Sequence, residues 1–151
     1  MRKFSELDIL ALEPCEEYSE EFLINLWGNR ASLSAKEINK LSIPITYRLW
    51  VLPQVVPTDV VVDWLDYCIH RIQQPHRFTL RTLELCKVIN TNLKEGAPNY
   101  SKRDFKYYVQ KTIFNIGYDL NLGREQEEPR TLVMNLYLKE LIRMNEKSVW
   151  G

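Results

Sequence analysis

The densest apolar stretch of the chain spans residues 43–72. After Thr58, apolar residues recur at intervals of three and four, which predicts a buried helix capped by Thr58. The preceding run, residues 44–52, is apolar on almost all sides, so its periodicity leaves helix and strand open. We interpret it as a buried helix because its neighbours have helical patterns, with a proline corner at 53–57 between the two helices. Two tryptophans of this stretch are predicted to lie in the core: Trp50 and Trp64.

A Ser-x-x-acid pattern recurs at Ser5, Ser34 and Ser101. In such a capping box the serine hydroxyl accepts a backbone N–H three residues on, and the acid accepts the N–H of the serine. The pattern predicts a short turn after Ser5, a short helix after Ser34 and an amphipathic helix after Ser101. The last of these has an apolar stripe at helical spacing, made of Phe105, Tyr108, Val109, Thr112, Ile113 and Ile116.

Three further helix starts are predicted from proline and threonine positions. Pro14 occupies a typical first helical position, which places a helix at about 15–27. Thr79 is predicted to cap the next helix, while Phe78 forms a hydrophobic staple at its start. A final helix after Pro129 is expected to bury Leu132, Val133, Leu136, Tyr137, Leu141 and Met144.

These patterns together predict an all-α fold. We expect residues 1–151 to form a single globular bundle of six or seven helices, with the helix pair in 44–72 at its centre. A chain of 151 residues suits one domain and can bury roughly two thirds of its unfolded surface. Such a domain needs neither a metal nor a disulfide for stability, and we expect no cofactor.

Cysteine usage and hydropathy indicate a cytoplasmic protein. The three cysteines are an odd number without paired spacing, which favours a reducing compartment. The first ten residues lack the apolar run of a signal peptide, and no stretch approaches the length of a membrane span.

Charge is balanced overall but unevenly distributed. The 20 basic and 20 acidic residues cancel, which argues against bulk coating of nucleic acid. Residues 70–112 carry nine basic residues against three acidic ones, whereas residues 1–28 carry seven acidic residues against two basic ones. Both segments are candidate partner-binding surfaces. The residues that we select from them are Arg77, Arg81, Lys102, Arg103, Lys106, Tyr107, Glu16, Glu17 and Glu20.

The sequence offers little catalytic or metal-binding chemistry. Cys68, His70, His76 and Cys86 form the one metal-like grouping, but their spacing is wrong for a zinc site and both cysteines lie on predicted apolar faces. Cys15 has no evident base to activate it. Glycine-rich phosphate loops, nucleophile elbows and zinc-protease motifs are missing. We therefore expect a protein that is not an enzyme.

The N-terminal half carries a resemblance to a known class. The segment from Leu10 to Glu17, with Cys15 near a helix start, precedes an acidic helix and then the tryptophan-centred run Arg48–Leu52. Over residues 7–72 this order resembles small helical bacterial proteins of the immunity and phage-associated kind. The resemblance implies a helical protein that acts by binding another protein, and it supplies no catalytic residue.

The leading expectation is a small adaptor, inhibitor or immunity-like protein that docks by charge complementarity. The alternative is a nucleic-acid-binding accessory protein that uses the basic surface within 77–111, where tyrosines interleave with lysines and arginines. A third possibility is a homo-oligomer whose helices pack across an interface. The partner and the oligomeric state do not follow from the sequence.

Overall fold

The computed structural model describes residues 2–14, 18–96, 99–120 and 127–150, with side chains of the last segment described at 131–148. These residues are mostly helical, which confirms that the fold is mainly α-helical, as predicted. Eight helices and one pair of short strands make up their regular structure. In chain order the elements are β1 (Lys3–Phe4), α1 (Glu6–Leu10), α2 (Glu20–Trp27), β2 (Leu33–Ser34), α3 (Ala35–Asn39), α4 (Ile45–Val55), α5 (Thr58–His70), α6 (Arg77–Lys94), α7 (Lys102–Leu120) and α8 (Glu127–Trp150).

The short strands and short helices near the N-terminus support one another. β1 and β2 pair antiparallel, with Phe4 opposite Leu33. The serine that follows β1 caps α1, and the last residue of β2 caps α3. The turn predicted after Ser5 is thus a helix in its own right, which raises the number of helices above the six or seven expected.

All three predicted capping boxes are present. Ser5 and Asp8 exchange hydrogen bonds of 2.8 and 3.3 Å, and Ser34 and Glu37 exchange bonds of 3.0 and 3.2 Å. At the start of α7, the Ser101 N–H donates to Asp104 at 2.8 Å, and the Asp104 N–H donates to the Ser101 hydroxyl at 3.2 Å. Local sequence therefore determines these helix starts, because each box satisfies backbone donors that the helix itself leaves free.

Two other predicted helix starts are wrong. Ser19, rather than Pro14, precedes α2, and its hydroxyl accepts the Phe22 N–H at 3.3 Å. Serine is a favoured N-cap residue, and residues 15–17 of the predicted helix lie outside the described residues. At the second site, α5 includes Thr58 as a helical residue, and Pro57 in the cap position makes no side-chain hydrogen bond.

The start of α6 also differs from the prediction. The helix begins at Arg77, and a ring nitrogen of His76 accepts the Phe78 N–H at 3.2 Å. Thr79 lies inside the helix and is fully buried, while Phe78 is exposed and forms no staple. The difference arises from a contact with another helix. Asp119 of α7 accepts both the His76 N–H at 3.0 Å and the Thr79 hydroxyl at 2.6 Å, and so satisfies the first turn of α6.

The run at 44–52 is helical, which resolves the choice between helix and strand. α4 continues through Pro53 instead of ending before it. A proline inside a helix removes the N–H that would bond to the carbonyl four residues earlier, here that of Leu49. The side-chain amide of Gln110 in α7 donates to this carbonyl at 3.2 Å, so α7 replaces the missing donor.

One hydrophobic cluster includes buried side chains from Phe4 to Ile142. α5 packs against α4, α6, α7 and α8, and α4 packs against α3, α5, α7 and α8. Trp64 is fully buried, as predicted, and its indole N–H donates to the Tyr137 carbonyl at 2.7 Å. Trp50, predicted to be core, is only half-buried at the edge of the cluster.

The apolar face of α8 is turned relative to the prediction. Leu132 and Leu136 were expected inside but are 62% and 60% exposed. Apolar residues occur on several sides of this helix, so its periodicity does not select a face. Packing against α5 selects a face whose centre lies about 100° away, one residue step around the helix, so Tyr137 and Leu141 are buried as expected, and Val133 and Met144 are partly buried. Its buried members are Met134, Tyr137, Leu138, Leu141 and Ile142.

Candidate functional site

The outward face of α7 carries a continuous row of exposed cations and aromatic rings. We call it the α7 stripe, and it consists of Arg103, Tyr107, Lys111, Phe114 and Tyr118. Tyr107 is 57% exposed, Phe114 73% and Tyr118 61%. Intervals of three and four residues place all five within an arc of about 80° and along roughly 22 Å of helix.

The opposite face of α7 is the buried one, and it fixes the direction of the stripe. Its buried residues are Phe105, Val109, Thr112, Ile113 and Ile116. α6 and α7 run antiparallel, since Thr79 contacts Asp119 at one end while Cys86 meets Thr112, with 3.6 Å between sulfur and hydroxyl oxygen, nearer the middle. This packing holds the apolar face inward and leaves the stripe facing solvent.

The acidic side chains of α7 itself point away from the α7 stripe. The acidic residues of α7 are Asp104 and Asp119. Asp104 is engaged in the capping box with Ser101, and Asp119 is buried against the start of α6. No acid of α7 therefore faces the stripe. Of its two cations, Arg103 lies 3.5 Å from Glu13, and Lys111 has no acidic partner among the described residues.

A shallow cleft of about 530 Å³ flanks the first half of the α7 stripe. Trp50 of α4 lies in its wall, with the Lys106 ammonium 5.1 Å from the ring centroid. Trp50 also stacks on Tyr47, with ring centroids 5.6 Å apart. The tryptophan therefore adds an amphipathic, half-exposed surface beside the stripe.

Lys106 has a structural role in addition to its place beside the cleft. Its ammonium donates to the Leu12 carbonyl at 2.8 Å and so ties α7 to the N-terminal segment. Burial lowers the pKa of Lys106 below its ordinary value. Because this cation is already bonded and partly desolvated, it is less available to a partner than the more exposed Arg103 and Lys111.

The residues selected from the sequence do not all lie together. Lys102, Arg103, Lys106 and Tyr107 occupy the first turns of α7. Arg77 and Arg81 are exposed at the start of α6, which packs near the far end of α7, roughly 25 Å along the helix axis. The expected basic surface across 77–111 is thus divided in two.

Part of the positive charge between these two groups is compensated. Lys87 lies 3.3 Å from a carboxylate oxygen of Asp66, and Lys94 lies 2.9 Å from one of Asp59. The excess of basic residues seen in the sequence therefore overstates the free charge of this face.

The acidic N-terminal surface is described only in part. Glu20 is exposed in the first turn of α2. Glu16 and Glu17 lie outside the described residues.

Four members of the candidate site were not selected from the sequence, and one of them, Lys111, lies at the end of the basic 77–111 surface. Phe114 and Tyr118 were not selected, although they continue the spacing that starts at Arg103 and Tyr107. Extending that helical repeat past the basic segment would have found them. Trp50 could not have been found in this way, because its exposure follows from how α4 packs on α7.

Thiol chemistry is disfavoured at Cys68 and Cys86, the two cysteines that the structure describes. Burial raises the pKa of Cys68 far above its ordinary value and that of Cys86 to about 11. Neither thiol is a nucleophile at neutral pH, since the thiolate is the reactive form. In the described part of the chain, no group of three or more His, Cys, Asp or Glu residues is placed to hold a metal ion. None of the described helices is long and apolar enough to cross a membrane.

Comparison of the chain with protein-family models, with curated proteins and with solved structures gave no match.

Proposed function

We propose that this protein is a non-enzymatic protein-binding module of the cytoplasm, a small bacterial or phage-type adaptor, inhibitor or immunity-like protein. It docks an acidic partner on the α7 stripe. In this proposal the helices form a single bundle with α4 and α5 at its centre, which acts as a rigid scaffold. The observation that carries the proposal is the row of three exposed aromatic rings and two cations on one helix face, without an acid among them.

The aromatic rings supply the affinity in this proposal. Tyrosine and arginine are favoured hot-spot residues, and aromatic side chains bury about 150–250 Å² each. At about 25 cal/mol per Å², covering the exposed part of Phe114 contributes roughly 3 kcal/mol. Tyr107 and Tyr118 add comparable area and can hydrogen-bond through their hydroxyls.

The cations supply orientation and speed of association. Arg103 and Lys111 attract an acidic patch from a distance comparable to the Debye length, about 8 Å at physiological salt. Charges at the rim of an interface mainly change the association rate. Reversing Lys111 to Glu should therefore slow association more than it speeds dissociation.

A pull-down from the source cell with matched variants tests the proposal. The stripe variant is Phe114→Ala with Tyr118→Ala. The control is Leu132→Ala with Leu136→Ala, which removes two apolar side chains of similar exposure from α8. We expect the wild-type protein and the control to retain the same partner and the stripe variant to lose it. A stripe variant that retains the partner would refute the proposal.

The second candidate is binding to single-stranded nucleic acid, which the same exposed rings favour. Aromatic side chains next to cations provide stacking surfaces for bases and contacts for phosphates. Such a complex weakens steeply between low and physiological salt. If Arg103→Glu with Lys111→Glu leaves a measured nucleic-acid affinity unchanged, this alternative fails.

A further inference from the structure

A second concavity of about 770 Å³ lies beside the start of α7, away from the aromatic rings of the α7 stripe. It is formed by residues 2–4, residues 11–13, the junction of α4 and α5, the end of α6, the first turns of α7 and residues 145–146 of α8. Its walls are largely apolar, with Phe4, Leu12, Val55, Val56, Leu93 and Phe105 among the lining residues. The volume falls within the range of about 300–1,000 Å³ typical of small-molecule sites.

Five cations line this groove, and the structure compensates three of them. Lys94 pairs with Asp59 at 2.9 Å, Arg103 lies 3.5 Å from Glu13, and Lys106 donates to a backbone carbonyl. Arg2 and Lys102 have no acidic partner among the described residues. Arg2 lies over the Phe4 ring, 5.1 Å from its centroid.

The acids that line the groove do not neutralise these two cations. They are Glu13 and Glu146. Glu13 faces Arg103, and Glu146 lies 3.9 Å from Lys36 on α3. The groove thus combines an apolar interior with a net positive rim.

We propose that this groove binds a small amphipathic anion, a molecule with an apolar chain or ring body and one carboxylate or phosphate group. The apolar body covers the walls, and the anionic group is held by Arg2 and Lys102. A neutral apolar ligand would make no charge-assisted contact with these cations, and a small inorganic anion would leave the apolar walls wet. The inference is independent of the proposed function, because neither Arg2 nor Lys102 belongs to the α7 stripe.

Isothermal titration with straight-chain carboxylates below their micelle concentrations tests the ligand class. We expect saturable binding of decanoate, with affinity rising about fourfold for each methylene added between hexanoate and decanoate. Acetate, which lacks the chain, should not bind measurably, and 1-octanol should bind at least about tenfold more weakly than octanoate. Absence of saturable decanoate binding, or equal binding of octanol and octanoate, would overturn the proposal.

Two charge-matched double variants test the location. Arg2→Glu with Lys102→Glu should weaken decanoate binding by about tenfold or more. Arg77→Glu with Arg81→Glu makes the same charge change on α6 and should leave the affinity within about twofold, since these residues are not among those lining the groove. Equal weakening in both variants would show that only overall charge matters. Arg2→Gln with Lys102→Gln provides a milder test if charge reversal prevents folding, and unchanged affinity in it would equally contradict the assignment.

Discussion

Replacing Asp119 with alanine should destabilise the packing of α6 against α7. Asp119 is 6% exposed, and one of its oxygens accepts the Thr79 hydroxyl at 2.6 Å and the His76 N–H at 3.0 Å. Hydrogen bonds to a charged acceptor contribute about 1.5–3 kcal/mol each, and two that share one oxygen contribute less than their sum. We therefore expect a loss of roughly 2–4 kcal/mol, a large share of the 5–15 kcal/mol typical of a domain.

Urea denaturation followed by tryptophan fluorescence measures this loss, provided that the free energy of unfolding falls with urea concentration at the same slope in the variant and the wild type. Thr79→Val removes the hydroxyl while nearly preserving shape, so a double-mutant cycle isolates its bond to Asp119. The cycle should give a coupling of about 1 kcal/mol or more. An alanine variant within about 0.5 kcal/mol of wild type would refute the claim that Asp119 stabilises the first turn of α6.

Three further results are expected. Trp64→Ala should cost roughly 3–5 kcal/mol in urea denaturation, since this side chain is fully buried; a loss below about 1 kcal/mol would show that its site is not core. The hydrogen bond from Asn90 and the ammonium of Lys94 lower the pKa of Asp59 in the folded protein. These contacts therefore stabilise the fold fully above the pKa that Asp59 has in the unfolded chain, and this stabilisation is lost as pH falls through its pKa in the folded protein. The urea midpoint should therefore fall more steeply below about pH 4 in the wild type than in Asp59→Asn, and parallel profiles would contradict this. In a Cys15→Ser background, Cys68 and Cys86 should not react with a thiol reagent at pH 8 until urea unfolds the chain, because both are buried and burial raises the pKa of Cys86 to about 11. Rapid reaction of the folded protein would contradict this burial.

Local signals in the sequence predicted local structure well. The boxes at Ser5, Ser34 and Ser101 need only residues three positions apart, and all three form. The amphipathic pattern after Ser101 likewise identified the buried face of α7. In each case the deciding interactions lie within one or two helical turns.

The start of α2 was misplaced although its cap, Ser19, is local, but three other errors arose where distant residues decide. Thr79 was expected to cap α6, but its hydroxyl instead donates a hydrogen bond to Asp119, 40 positions away. Pro53 was expected to end a helix, but Gln110, 61 positions from Leu49, supplies a donor to the freed carbonyl. The buried side of α8 depends on which face meets α5, which its own sequence does not specify.

The candidate site was predicted in part for the same reason. Arg103 and Tyr107 were selected from composition and spacing, and they belong to the α7 stripe. Arg77 and Arg81 were grouped with them because they are near in sequence, yet antiparallel packing of α6 and α7 puts them at the other end. Composition alone therefore could not define the surface.

Site-specific photo-crosslinking tests the α7 stripe as a docking surface most directly. Phe114 is replaced by the photoreactive p-benzoylphenylalanine, and Leu132, exposed on α8, is replaced in a matched control. On irradiation in the source cell, we expect one discrete protein adduct from position 114 and none from position 132. An adduct from position 132 alone, or nucleic acid in place of protein at position 114, would contradict it.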